Sequence, residues 1–322
     1  MPPAGHPLFD AADRGSGQSG PVWFPGGRFC ALGLPRGVRR RPRYHARMPV
    51  ERVDSLDDKR LADYRHVPDP ELLRRGEIFV AEGRLVVRAL LAQPRFRVRS
   101  VLLTETAFAS LADLIEPRLS DLPVFIVPAG AIETLTGFNI HRGCLAIGER
   151  PSSIGVATLL ARVPAARRLV ALEGVGNADN IGGIFRNVAA LGAEAVVLGP
   201  GCCDPLYRKA IRVSMGAALR VPFCHAASWP GDLRTPREAG FVVAALTPAP
   251  GGLDIAAFAG TLPPGAKVVL LAGSEGEGLT AAALSRADLA VRIPMAPGAD
   301  SLNVATAVAI ALHRLSPAEP RA

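Results

Sequence analysis

The segment LVALEGVGNADNIGGIFRNVAALG, residues 169–192, passes from strand to helix across a glycine-containing loop. Leu169–Leu172 is a short, continuous apolar run, the pattern of a strand buried on both faces. Ile181–Ala190 then carries Ile181, Ile184, Phe185 and Val188 at helical spacing, which predicts one apolar helix face. Between the two, Gly174 and Gly176 invite a dinucleotide-binding reading. The third fingerprint position is Asp179, however, and no later Gly closes the pattern; an anionic side chain there opposes a pyrophosphate. Asn180 is placed to cap the helix, and Gly182 and Gly183 permit close backbone approach. Arg186 follows less than two turns in. It reads either as a working cation or as a solvent-facing side chain, and this loop alone does not choose between them.

Two further loops complete the pattern. GSEGEG at 273–278 follows the most apolar strand of the chain, Val268–Leu271. It lacks the Lys-Ser/Thr ending of a phosphate-binding loop and holds Glu275 and Glu277, which repel phosphate but tolerate a neutral or cationic ligand. Either Glu also reads as a plain solvated side chain. IPMAPGADSLN at 293–303 enters the last helix, expected over Leu302–Leu315. Ser301 reads as its N-cap. Asn303 falls two residues inside, where Asn is a poor helix former, so its amide is available to a neighbouring loop; ordinary capping and turn duty is the other reading. All three loops leave the carboxyl ends of strands, where open α/β sheets bind ligands.

Working outward, further strands are expected at 195–198, 221–224, 241–246 and 289–293. Helices are expected at 206–219, with Ile211, Met215 and Leu219 on one face, and at 236–239 and 281–286. This alternation predicts an α/β domain over 168–316, a parallel sheet covered by helices. Residues 151–167, with Pro151, Ser152, Ser153 and Pro164, read as a linker with room for a short helical piece. Residues 53–150 read as a smaller α/β domain. Its strands are expected at 78–81, 98–103, 123–127 and 144–147, and its helices at 56–64, 71–75, 85–91, 109–115 and 129–134. Gly137 reads as a helix stop.

The chain has 322 residues, 49% hydrophobic but only 5% aromatic, so Leu, Val, Ile and Ala must fill two cores. Residues 1–47 hold eight Arg against two Asp and so carry +6 of the total +8, which leaves the folded part nearly neutral. That tail reads as disordered. Its dense run from Arg36 to Arg47 is either an RNA-contacting arm or sequence ahead of a true start at Met48. The five Cys (Cys30, Cys144, Cys202, Cys203 and Cys224) form no CxxC pair, and His and Cys do not cluster at ligand spacing, so no metal is expected. No run of eighteen uncharged apolar residues and no signal-peptide order is present, which makes a cytoplasmic location without a membrane partner the expectation.

Three motifs in order resemble the SpoU/TrmH branch of the SPOUT RNA methyltransferases: NIGGIFRNVAALG at 180–192, LLAGSEGEGLT at 270–280 and IPMAPGADSLNVATAVAIAL at 293–312. KAIRVSMGAAL at 209–219 is similar to the family's basic helix. RRGEIFVAEGRLVVRALL at 74–91, with the text up to Gly143, resembles its ribosomal-protein-like substrate-binding domain. The resemblance implies a deep trefoil knot in the C-terminal domain, against the rule that folds are unknotted. It also implies a homodimer with a shared active site. The implied cofactor is S-adenosylmethionine in a bent shape, held largely by backbone groups around Leu271, Ala272, Gly273, Gly278, Ile293, Met295 and Leu302. The implied reaction is methylation of a ribose 2′-hydroxyl in structured RNA, with 23S rRNA preferred over tRNA. Arg186 would be its central residue, and Asn180, Glu275, Ser301 and Asn303 would complete the site. Arg208, Lys209 and Arg212 are the implied phosphate contacts. The chain departs from the family at Ala305, where Ser is usual, at Pro297, where Gly is common, and at Asn187, where Thr is frequent. Two other classes stand beside this one. One is a catalytically silent RNA-binding protein of the same fold; the other is a nucleotide- or NAD-dependent enzyme, which the degenerate glycine loop opposes.

Overall fold

A computed structural model describes residues 50–65, 77–136 and 143–316. The basic tail, the expected helix at 71–75 and the Gly137 stop lie outside these residues. In the first half, β1 (Val50–Arg52), β2 (Ile78–Glu82), β3 (Val98–Leu103), β4 (Val124–Ile126) and β5 (Cys144–Glu149) form a sheet ordered β1-β4-β3-β5-β2. β1, β4 and β3 run parallel, and β5 is antiparallel to both β3 and β2. A 3-10 turn at Lys59–Tyr64 and helices α1 (Arg84–Leu91), α2 (Glu105–Ile115) and α3 (Ala131–Thr136) complete it. β1 precedes the expected domain start at 53, because a three-residue strand is too short to show a period. α2 begins four residues before the expected 109 because Thr104 caps it, its hydroxyl accepting from the Ala107 N–H.

The second half opens with α4 (Val156–Arg162), then β6 (Arg168–Leu172), α5 (Ala178–Leu191), β7 (Ala195–Leu198), α6 (Arg208–Val213), α7 (Ala217–Arg220) and β8 (Phe223–His225). After these come α8 (Arg234–Glu238), β9 (Phe241–Leu246), β10 (Leu253–Asp254), α9 (Ile255–Thr261), β11 (Lys267–Ala272), α10 (Ala281–Leu284), β12 (Leu289–Arg292) and α11 (Val304–Leu315). The strand order is β10-β12-β9-β11-β6-β7-β8, with every neighbouring pair parallel. Strand alternation divides the core. Val170, Leu172, Val268 and Leu270 face Ile184 and Phe185 of α5 and Val308 and Leu312 of α11. Leu169, Ala171, Val269 and Leu271 face Val156 and Leu159 of α4 and Ala283 of α10. The expected linker at 151–167 is therefore corrected: its helix belongs to the layer that covers this sheet.

Two more expectations change. The single helix over 206–219 is broken into α6 and α7. The Ser214 hydroxyl donates to the Ile211 carbonyl and accepts from the Ala218 N–H. Met215 and Gly216 then take positive φ, 52° and 77°. Ile211 and Leu219 are buried, but Met215 is exposed. α1 packs closely at this break, where a Cβ on Gly216 would lie 3.0 Å from the Ala89 Cβ. β10 and α9 were not expected, because IAAFAGT offers only Ile255 and Phe258 as buried anchors. The available signal was Asp254, whose carboxylate caps the helix through the Ala256 and Ala257 N–H groups.

The halves share buried surface, since Leu206, Ile211 and Leu219 pack into the cluster that holds Phe79, Val86 and Leu90. The Arg95 guanidinium spans this junction, 4.5 Å from the Phe96 ring centre and 5.4 Å from that of Phe223. Burial, with a smaller contribution from Arg162, pushes it down to about 10, so it stays cationic at neutral pH.

α5 crosses α6 closely at Gly182, where a Cβ would lie 2.7 Å from the Val213 Cβ and 2.8 Å from the Ala210 carbonyl oxygen. Helix propensity favours Ala over Gly by about 1 kcal/mol, whereas overpacking against backbone costs about 1–3 kcal/mol. Gly182→Ala is therefore expected to lower the urea midpoint; a raised midpoint overturns this packing. Burial also pushes the Cys144 and Cys224 thiols up to about 12. Iodoacetamide at about pH 8 followed by peptide mapping should leave both unmodified until denaturant is added. Native labelling of either contradicts its burial.

Candidate active site

β12, β9 and β11 are adjacent, and their carboxyl ends open into a cavity of about 350 Å³, within the usual range for small-ligand sites. Leu246 ends β9 and Thr247 follows it, Ala272 ends β11 and Gly273 follows it, Ile293 and Met295 follow β12, and Leu302 and Val304 bring in the start of α11. Of the residues expected around the cofactor, Ala272, Gly273, Gly278, Ile293, Met295 and Leu302 line this cavity. Leu271 does not. Alternation turns its side chain to the opposite sheet face, where it is fully buried. Thr247 and Pro248 also line the cavity, and sequence reasoning missed them. The strand before them was read, and the rule that ligands sit at strand ends applied equally to its loop.

The 273–278 loop folds tightly on itself. Ser274 and Gly278 form a bridge, with the Gly278 N–H donating to the Ser274 carbonyl at 3.2 Å. A Cβ on Gly273 would lie 2.2 Å from the Gly278 carbonyl carbon, so only glycine fits. The loop exit is pinned by Glu173, a residue not singled out from sequence. It is 5% exposed. Its carboxylate accepts from the Trp229 indole N–H at 2.7 Å, the Thr280 N–H at 2.9 Å and the Thr280 hydroxyl at 3.0 Å. Three donors satisfy a charge that would otherwise be costly to bury. An acidic residue directly after a wholly buried strand was the clue.

Two capping expectations are corrected. Asn177, not Asn180, caps α5, accepting from the Asp179 N–H at 2.8 Å. Asn303, not Ser301, caps α11, accepting from the Thr306 N–H at 3.1 Å. Asn180 lies inside α5 and is buried. Its side-chain oxygen accepts from Asn303 Nδ2 at 2.8 Å, and the same nitrogen donates to Glu275 Oε1 at 2.6 Å. Glu275 Oε1 also accepts from the Val304 N–H at 3.1 Å. One residue from each of the three loops thus meets at a single point. Ser301 and Asp300 line the cavity mouth, and Glu277 is exposed.

Arg186 is outside this cluster. It is exposed on α5 with no hydrogen bond or ion pair among the described residues. Its neighbour Asn187 donates to the Ala305 carbonyl at 2.8 Å, so two departures from the family pattern touch each other. Of the expected phosphate contacts, Lys209 pairs with Asp179 at 2.6 Å, while Arg208 and Arg212 approach Glu82 at 3.8 and 3.9 Å. Among the described residues no Lys or Arg lines the cavity, whereas Glu275 and Asp300 do. That balance disfavours a phosphate-bearing ligand and suits a neutral or cationic one. Among the described residues no group of three or more His, Cys, Asp or Glu is placed to hold a metal ion, and no helix is long and apolar enough to cross a membrane.

Comparison with known proteins agrees with this geometry. The model of the SpoU rRNA Methylase family matches residues 167–313, which include α5 and all three loops. A Mycobacterium tuberculosis protein described as an uncharacterized tRNA/rRNA methyltransferase is 42% identical over 270 residues, 83% of this chain and 91% of that one. A 23S rRNA (guanosine(2553)-2′-O)-methyltransferase of Bacillus subtilis is 23% identical, covering 83% of this chain and 99% of that one. An AdoMet-bound rRNA methyltransferase from Sinorhizobium meliloti superposes with a TM-score of 0.68 at 27% identity, over 82% of this chain and 97% of its own. With motifs, fold and relatives in agreement, the chain belongs to the SpoU rRNA methylase family.

Proposed function

We propose that this protein transfers a methyl group from S-adenosylmethionine to a ribose 2′-hydroxyl of structured RNA, with 23S rRNA as the preferred substrate over tRNA. The observation that carries the reading is the cavity at the carboxyl ends of β9, β11 and β12, beside the Asn180–Glu275–Asn303 cluster. The fit to the cofactor rests on its lining: a cradle at Gly273, whose tight turn leaves no room for a Cβ against the Gly278 backbone, apolar walls and, among the described residues, acidic but no basic side chains. The Sinorhizobium structure holds AdoMet, and the Bacillus relative acts on 23S rRNA at a 2′-oxygen.

When bound, the cofactor supplies an electrophilic methyl group on a sulfonium. Gly273, Ile293, Met295 and Leu302, which line the cavity, would hold the cofactor. The protein's part is alignment and charge stabilisation. Glu275 and Asn303 hold the wall of the cleft in register with α5 through Asn180, and Ser301 offers a hydroxyl at its mouth. The role of Arg186 is to orient a substrate phosphate and stabilise developing negative charge, the task a planar guanidinium fork suits. Arg186 has no hydrogen-bond or ion-pair partner among the described residues, and the reading includes a homodimer in which α5 of one copy helps complete the cleft of the other. The first half, 53–150, serves as the ribosomal-protein-like RNA-binding domain. Arg208, Lys209 and Arg212 of α6 serve as phosphate contacts beside it. A C-terminal trefoil knot and a cytoplasmic location complete the proposal.

The test is incubation of ribosomal and transfer RNA with labelled S-adenosylmethionine, followed by mapping of the modified nucleotide. The expected outcome is label on a ribose of large-subunit RNA. Arg186→Ala should lower turnover by roughly 10²-fold or more while calorimetric cofactor binding persists. Label on a base, or near-wild-type turnover of the variant, removes the 2′-O assignment or the role of Arg186 respectively. Gly273→Ala should abolish cofactor binding in calorimetry while leaving thermal unfolding cooperative; binding at wild-type strength sinks the cradle.

A further inference from the structure

Glu82 ends β2 in the first half and reaches α6 of the second. Its side chain is 9% exposed, and its Oε2 atom has no hydrogen-bond partner. Two guanidinium groups face that oxygen, Arg208 Nε at 3.8 Å and Arg212 Nη1 at 3.9 Å. Both separations exceed hydrogen-bond length, so the attraction is electrostatic and the carboxylate stays short of donors. A buried acceptor left in that condition is expensive, and a neutral residue of the same size would avoid the cost. The arginines themselves remain partly open, at 23% and 54% side-chain exposure. The third cation of the helix, Lys209, faces its own acid, Asp179. Every base on α6 thus has an anion of this chain beside it, and for the two arginines that anion comes from the other half.

We propose that Glu82 is a specificity-determining residue for RNA: a resident counter-anion that an RNA phosphate must share or displace to engage Arg208 and Arg212. The inference rests on the RNA methyltransferase reading above. The carboxylate subtracts one charge from a strip that would otherwise grip any polyanion. RNA that also contacts the first half recovers this loss, whereas RNA that meets α6 alone does not. Glu82 therefore weakens indiscriminate binding and reserves the helix for substrate spanning both halves. Its position on the first half also ties the aim of both guanidinium groups to the domain that would present the RNA.

The experiment is fluorescence anisotropy of the full chain with fluorescein-labelled bulk tRNA and with large-subunit rRNA fragments, each over a salt series. Glu82→Gln keeps the shape and removes the charge. It is expected to steepen the slope of log Kd against log salt by about one, since each neutralised phosphate contributes roughly 0.7–0.9. It should also tighten tRNA binding several-fold, narrow the gap between the two RNAs and leave cofactor affinity unchanged. Arg212→Gln alone should flatten the slope by a similar amount, and the double variant should return near the wild-type slope. An unchanged slope in a folded Glu82→Gln protein overturns the proposal. If that variant does not fold, an unchanged slope in Arg212→Gln, a substitution at a half-exposed side chain, overturns it instead. Absence of salt-dependent RNA binding by the wild-type chain removes the RNA reading itself, and with it this inference. Wild-type salt dependence with unaltered variants removes the inference alone.

Discussion

The side-chain amide of Asn303 connects three parts of the chain that sequence keeps far apart. An Asn carboxamide has two N–H donors and one oxygen acceptor, and all are committed here. The donors go to Asn180 on α5 and Glu275 in the 273–278 loop, and the oxygen accepts from Thr306 to start α11. No other capping residue does all of this. Ser or Thr caps a helix but has a single donor. Asp caps as well but would face the Glu275 carboxylate at hydrogen-bond distance, a like-charge contact costing several kcal/mol by an order-of-magnitude Coulomb estimate. The helix cap and the site cluster are the same group, so the loops stay aligned only while α11 remains folded against α5.

Around that amide the carboxyl edge of the sheet is crowded, and glycine absorbs the crowding. Gly273 lies against Gly278, Gly174 against Ser274, and Gly201 against Gly174. These contacts carry the 273–278 loop over the end of β11 without side chains to block the cavity. Glu173 adds the polar counterpart by fixing Thr280 and Trp229 from the end of β6. Gly273, Gly276 and Gly278 therefore present only backbone to the cavity they line, and a wall of that kind recognises a ligand by shape and by carbonyl and N–H direction.

Much of this was legible in the amino-acid order because the relevant signals are local. The apolar run 169–172, the helix periodicity after it and the glycine-rich turns after strands all depend on residues within a dozen positions. What could not be read depended on distant partners. Asn177 and Asn180 both precede an apolar helix and both suit a cap; which of them serves is decided by Asn303, more than a hundred residues away. At Ser214-Met215-Gly216 the local stop signal of a glycine in the left-handed region was masked by the apolar period at 211, 215 and 219, which runs on unbroken. Glu173 followed the quoted strand directly and was passed over because its three donors come from Trp229 and Thr280.

The separation of charge has a physical cause that links the site to the proposed chemistry. A methyl donor of the sulfonium type is a cation, and a guanidinium about 4 Å from it at an effective dielectric of 20 would cost about 4 kcal/mol. The cavity accordingly contains Glu275 and Asp300 and, among the described residues, no Lys or Arg. RNA brings the opposite demand, because each phosphate needs a cation. Arg186 on the exposed side of α5 and Arg208, Lys209 and Arg212 on α6 are all outside the cavity lining. An enzyme that joins a cationic donor to a polyanionic acceptor has to keep these two fields apart until the substrate itself brings them together. The exposed position of Arg186 in a single chain is consistent with that requirement: inside the cavity it would oppose the cofactor before the RNA arrived.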